Sequence, residues 1–160
     1  MRTLSDAVRN AGIFFLAVFV QWLWSAHFSI YGVAPQILLI LTVAEASRQG
    51  PIPAMGLGFF WGLFLDSMGG GLFGANALVL VALAYLAGLV RHQMDAGEAA
   101  PRAVLVIFAT WAYFLLLGSV SWVFTHRFIW GGWPDVLVFP LYNSLVAAAI
   151  ALFNPWRKSA

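Results

Sequence analysis

The stretch Gly58–Leu78, GFFWGLFLDSMGGGLFGANAL, decides how this chain is read, because it sets one carboxylate, Asp66, in a run that otherwise has the composition of a membrane span. An unpaired charge at the centre of a bilayer costs at least about 2.5 kcal/mol, so Asp66 must reach the interface, find a partner inside the protein, or do chemistry. Ala54, Gly58, Gly62 and Asp66 recur at every fourth position and share one helix face. Small residues at that spacing let a second backbone approach closely. The face therefore serves either as packing within the bundle or as a groove for a helix of another protein. The glycines that follow, Gly69, Gly70 and Gly71, end the helix and turn the chain, with Gly74 just before the next apolar run.

The rest of the 160-residue chain supports a membrane setting, with 62% hydrophobic and 9% charged residues. Soluble domains carry about 25% charged residues. No gap between apolar runs is long enough for a soluble domain, and the whole of residues 1–160 reads as a single transmembrane domain. Cysteine is absent, which removes disulfides, thiolate metal sites and cysteine nucleophiles. The few dispersed Lys and Arg do not form a nucleic-acid-binding surface.

Crossing a hydrocarbon core of about 30 Å takes roughly 20 apolar residues. The pattern predicts spans over about Ala11–Ile30, Ala34–Ala46, Pro53–Met68, Phe73–Val90, Ala103–Phe124 and Asp135–Phe153. The first is too long for the apolar region of a cleaved signal and lacks a small-x-small site, so it is expected to be retained. Pro35 is expected in the first turn of the second. The second and third are short, and a four-span arrangement with this region re-entrant is the alternative. With six spans, Arg2, Arg9, Arg48, Arg91, Arg102, Arg157 and Lys158 fall on one side and Arg127 on the other. The positive-inside rule then puts both termini in the cytoplasm. Trp22, Trp24, Phe28, Tyr31, Trp122, Trp130 and Trp133 fall at outer ends, as an aromatic belt requires.

This topology carries Asp66 to the outer end of an outward-running helix. A carboxylate is unfavourable at a helix C-terminus, which argues against a casual placement. The glycine turn brings it beside the start of the fourth span, whose free N–H groups are one set of partners. Arg127, the strong cation on that side, is the other. His27, His126 and Asp66 lie near the same face without ligand spacing, so no metal site is read from them. Glu45 and Arg48, three apart, are placed to pair locally. In the sixth span Pro140 can bend the helix, and Asn143 is a polar intramembrane residue that must find a hydrogen bond. No nucleophile elbow, zinc-protease, P-loop or paired-carboxylate pattern is present, so neither an enzyme nor a cofactor is expected.

The opening stretch also resembles the signature of the MreD family of rod shape-determining proteins, a span of the form G-x-x-x-G-L-x-x-D followed by glycines, L-x-G and an apolar helix. Gly58, Gly62, Leu63, Asp66, Gly70, Leu72, Gly74 and Leu78 fill it. APQILLILTV from Ala34 resembles the family's second span, with Gln36 where Asp or Asn is more usual, and FPLYNSLVAAAIALF resembles its last, with Asn143 at the matching position.

The resemblance implies an all-α integral membrane fold of six transmembrane helices, similar to the S components of energy-coupling factor transporters. It further implies a non-enzymatic scaffold in the bacterial inner (cytoplasmic) membrane that belongs to the elongation machinery, or elongasome. MreC is the implied direct partner, through its transmembrane helix. MreB, RodA and penicillin-binding protein 2 are implied indirectly, through peptidoglycan synthesis. The alternative is an S component for a vitamin or metal, which would need polar side chains converging on an outer pocket. His27, Asp66, Asn76, His126 and Arg127 are the few polar groups predicted there.

Overall fold

The computed structural model describes residues 2–27, 35–69, 71–90, 99–128 and 132–152. These form six helices and, among the described residues, no strand: α1 (Arg2–His27), α2 (Ile37–Gln49), α3 (Pro51–Met68), α4 (Ala75–Val90), α5 (Ala99–Thr125) and α6 (Trp133–Leu152). Each predicted span coincides with one helix. The boundaries differ most at the first two. α1 begins at Arg2, well before the hydrophobic run at Ala11, because hydropathy marks where hydrocarbon starts and backbone hydrogen bonding continues past it. α2 begins at Ile37, so Pro35 precedes the helix instead of opening it. Prolines do occupy first helical turns elsewhere, among them Pro51 of α3, directly after Gly50, and Pro134 of α6.

One described segment, Val104–Thr125, is by itself long and apolar enough to cross a membrane, while Phe14–His27, Ala75–Val90 and Val136–Ile150 are shorter apolar helices. The 13 residues of α2 make a rod of only about 20 Å. Short as it is, α2 touches each of the other five helices. Leu38, Leu39, Thr42 and Ala46 of α2 are completely buried. Leu80 and Ala84 of α4 are buried with them. Thr42 satisfies its own hydroxyl by donating to the Leu38 carbonyl at 2.7 Å.

The most intimate pair is α3 with α4. A Cβ on Gly62 would lie 2.2 Å from Ala77 Cα, and one on Gly88 would lie 2.7 Å from Pro51 Cβ. Contacts this close bring one helix backbone onto the other, which only a missing side chain permits. Ala54 and Gly58 continue the seam, both buried. The opposite surfaces are apolar and exposed. They include Phe15, Phe19 and Trp22 on α1, Phe108 and Leu115 on α5, and Leu137, Leu141 and Leu145 on α6.

Candidate functional site

Asp66 lies in the last turn of α3, and α4 starts nine residues later. Gly74, with φ +93°, takes the left-handed conformation needed to enter α4. The helix beyond it presents its unpaired first-turn amides to Asp66. Asp66 Oδ1 accepts from the Asn76 amide at 3.0 Å and from Asn76 Nδ2 at 2.9 Å. Its Oδ2 accepts from the Ala77 amide at 3.2 Å. The carboxylate is thus an N-terminal cap for α4 supplied by the neighbouring helix. Its position at the end of α3 is adverse to that helix's dipole and favourable to the dipole of α4. Arg127 is exposed, and the three donors that hold Asp66 all come from α4.

The arrangement extends beyond Asp66. The Tyr113 hydroxyl of α5 donates to Asn76 Oδ1, and the Gln36 side chain lies beside Tyr113. Gln36 precedes α2, and its amide donates to Asn143 Oδ1 of α6 at 2.9 Å. Asn143 Nδ2 donates to Thr110 Oγ1 of α5 at 3.1 Å, and the Thr110 hydroxyl donates in turn to the Val106 carbonyl. The next amide of α2, Ile37, donates to Gln21 Oε1 of α1 at 2.6 Å, while Gln21 Nε2 reaches the Pro35 carbonyl at 3.2 Å and Ser25 Oγ at 3.1 Å. Residues from all six helices or their immediate flanks therefore join one polar track. Asn143, Thr110, Gln21 and Asp66 along it are buried. Among the described residues, Gln36 Oε1 and Trp61 Nε1 are the buried side-chain polar atoms without a partner.

Two further hydrogen bonds at α6 complete the geometry. Pro140 lies inside the helix, so the Val136 carbonyl has no amide four residues on to receive. Trp111 Nε1 of α5 donates to that carbonyl at 2.9 Å. Trp24 Nε1 of α1 donates to the Tyr142 hydroxyl at 3.1 Å, which ties the first helix to the last.

Of the residues singled out in the sequence, Asp66 and Gly74 come together at the start of α4. Gly69 caps α3 with its amide on the Leu65 carbonyl, and Gly71 is exposed with open space around it. Gly70 lies outside the described residues. Gly58 lies against Leu80 of α4 and Thr42 of α2, Gly62 against Ala77 of α4, and Ala54 is buried, so that side of α3 is covered from within. Asn143 reaches α2 and α5. Glu45 accepts from the Gln49 side chain. His27 and His126 are exposed, and no group of three metal-ligating side chains forms among the described residues.

Sequence reasoning missed Gln21, Thr110 and Tyr113. Gln21 carried a detectable signal, as the only amide side chain within the apolar run that follows Ala11. Thr110 and Tyr113 carried none, since either residue is ordinary in a span.

Neither the curated proteins nor the solved structures contain a match to this chain. The family model for rod shape-determining protein MreD matches residues 3–157. That interval takes in all of α2 to α6 and nearly all of α1, with every member of the polar track, and the chain belongs to the MreD family.

Proposed function

We propose that this chain is a six-span scaffold of the inner membrane, a single transmembrane domain with both termini cytoplasmic and a fold similar to energy-coupling factor S components. In this reading it binds the transmembrane helix of MreC. It thereby helps organise peptidoglycan synthesis during elongation, indirectly with MreB, RodA and penicillin-binding protein 2. Membership of the MreD family carries the role in rod shape determination. The observation that supports a scaffold is the polar track itself. Asp66, Asn76, Tyr113, Gln36, Asn143, Thr110 and Gln21 are engaged with one another and with helix ends. Side chains so engaged fix the relation of six helices and leave an apolar exterior for lipid and partner helices.

Within this reading, Asp66 with Gly69, Gly70, Gly71 and Gly74 acts as a brace for the α3–α4 hairpin. Ala54, Gly58 and Gly62 form its internal seam, and Asn143 is interhelical glue. MreC then meets the outer surface, because α4 covers the small-residue face.

Co-purification of the tagged chain from native membranes at normal expression tests the proposal. MreC is expected among the captured proteins, and its absence under conditions that keep the chain folded sinks the scaffold reading. A transport subunit would instead gain thermal stability from a vitamin or metal ion present well above its dissociation constant.

A further inference from the structure

We propose that α6 is hinged at Pro140 and that Trp111 is the latch that holds its outer segment in place. The inference is independent of the identity of any partner. It starts from the missing amide of Pro140, which leaves the Val136 carbonyl without its helical donor. A bare carbonyl in hydrocarbon is costly, and nothing in lipid replaces the lost bond. Trp111 Nε1 supplies the donor from α5 at 2.9 Å. With no amide at Pro140, the Trp111 hydrogen bond takes the place of the helical one; in a regular helix the same carbonyl already has a donor four residues on, and a second one is an addition rather than a necessity.

The two halves of α6 are held unequally. On the inner side of the hinge, Asn143 is fixed to the Gln36 amide and to Thr110, and Tyr142 receives Trp24. On the outer side, from Trp133 to Phe139, the hydrogen bond from Trp111 is the polar tie to another helix among the described side chains. The Phe139 ring adds an edge contact to Phe114 at 4.9 Å. Pro140 and Asn143 are both fully buried, so the pivot and its anchor face the core together. Trp111 is 40% exposed, which puts the latch on the outer surface of the bundle, where it can open without unpacking the core. Opening it frees the outer end of α6 while Asn143 keeps the inner half in register.

The absence of cysteine permits paired spin labels without background. One label on α5 by Leu115→Cys is combined with a second on α6 by Leu137→Cys, outside the hinge, or by Leu145→Cys, inside it. All three leucines are exposed. Trp111→Phe keeps an aromatic ring, smaller than the indole, and removes the donor. It is expected to broaden the 115–137 distance distribution, leave 115–145 unchanged, and lower the melting temperature by about 3 °C, as loss of one hydrogen bond does in a chain of this size. In a Pro140→Ala background, where residue 140 again donates to Val136, Trp111→Phe is expected to change neither distance. Equal broadening in both backgrounds, or no broadening with Pro140 present, overturns the latch. Should Trp111→Phe fail to accumulate, its recovery by Pro140→Ala supports the proposal and failure of both variants rejects it.

Discussion

Asp66 and Asn76 meet twice, through the backbone amide at 3.0 Å and the side-chain amide at 2.9 Å, and one carboxylate oxygen receives both. The second oxygen takes the Ala77 amide. Asp66→Leu removes every acceptor and strands two first-turn amides of α4, each costing about 1–3 kcal/mol when buried. Asp66→Asn keeps one oxygen for Asn76 but turns an NH₂ toward the Ala77 amide, so it loses about 1 kcal/mol. Unfolding in detergent or nanodiscs should rank native, Asn, then Leu. Equal losses from Asn and Leu would show that the charge matters beyond its role as an acceptor.

The seam between α3 and α4 predicts a sharp contrast among glycines. Gly62→Ala drives a methyl to within 2.2 Å of the Ala77 backbone, which cannot move aside as a flexible side chain would. The expected loss is about 3 kcal/mol, at the upper end for overpacking. Gly56, on the same helix, has nothing within 4 Å of an added Cβ. Gly56→Ala should be neutral or stabilise by up to about 1 kcal/mol through helix propensity. Similar behaviour of the two variants in a thermal-shift series would mean that α3 and α4 are not packed at this distance.

A third prediction concerns the start of α2. Gln21 and Asn143 receive the successive amides of Ile37 and Gln36. Either Gln21→Leu or Asn143→Leu leaves a buried donor unpaired and should cost about 1–3 kcal/mol. Both act on one helix end, so the double variant should cost less than the sum of the two. Amide exchange by mass spectrometry should rise first in the peptide that begins α2, while α4 stays protected. Strict additivity, or exchange spread evenly over the chain, would count against a shared cap.

These residues also show where sequence reading succeeds and where it stops. Asp66 and the first turn of α4 are joined by a short glycine-rich turn, so a local argument about helix ends is enough to bring them together. The seam is equally local, because small residues recur at helical spacing. Gln21 and Ile37 are joined across a sequence separation of 16, and Trp24 and Tyr142 across one of 118. Uniform hydrophobicity hides such pairs: when both the lipid face and the core are apolar, periodicity does not say which side of a helix faces inward. The helix of α1 extends to Arg2, beyond the apolar run that begins at Ala11, because polar residues flanking a hydrophobic run remain helical without leaving a mark in hydropathy. Trp111 and Val136 needed a subtler inference still, from a proline to the carbonyl it strands to a donor on another helix.

The arrangement of α2 and α3 supplies the last prediction. Their turn at Gly50 lies next to Gln49, and the C-terminal end of α3 carries Ser67, both exposed. In the proposed six-span topology, these residues face opposite sides of the membrane. With no native cysteine, Gln49→Cys and Ser67→Cys can each be tested with an impermeant maleimide. Ser67→Cys should label in intact spheroplasts, and Gln49→Cys only in inside-out vesicles. A re-entrant α2–α3 pair also exposes Ser67 outside but keeps the Gly50 turn within the bilayer, so Gln49→Cys would then resist labelling from either side. Labelling of Gln49→Cys from the outside would reverse the orientation assigned by the Arg and Lys distribution. The α2 rod of about 20 Å makes this position decisive: it is too short to cross a bilayer of ordinary thickness unless the membrane thins or its ends are sheltered by protein. The buried caps from Gln21 and Asn143 provide that shelter at its N-terminal end, so in the proposed topology labelling of Gln49→Cys from the cytoplasmic side is the expected result.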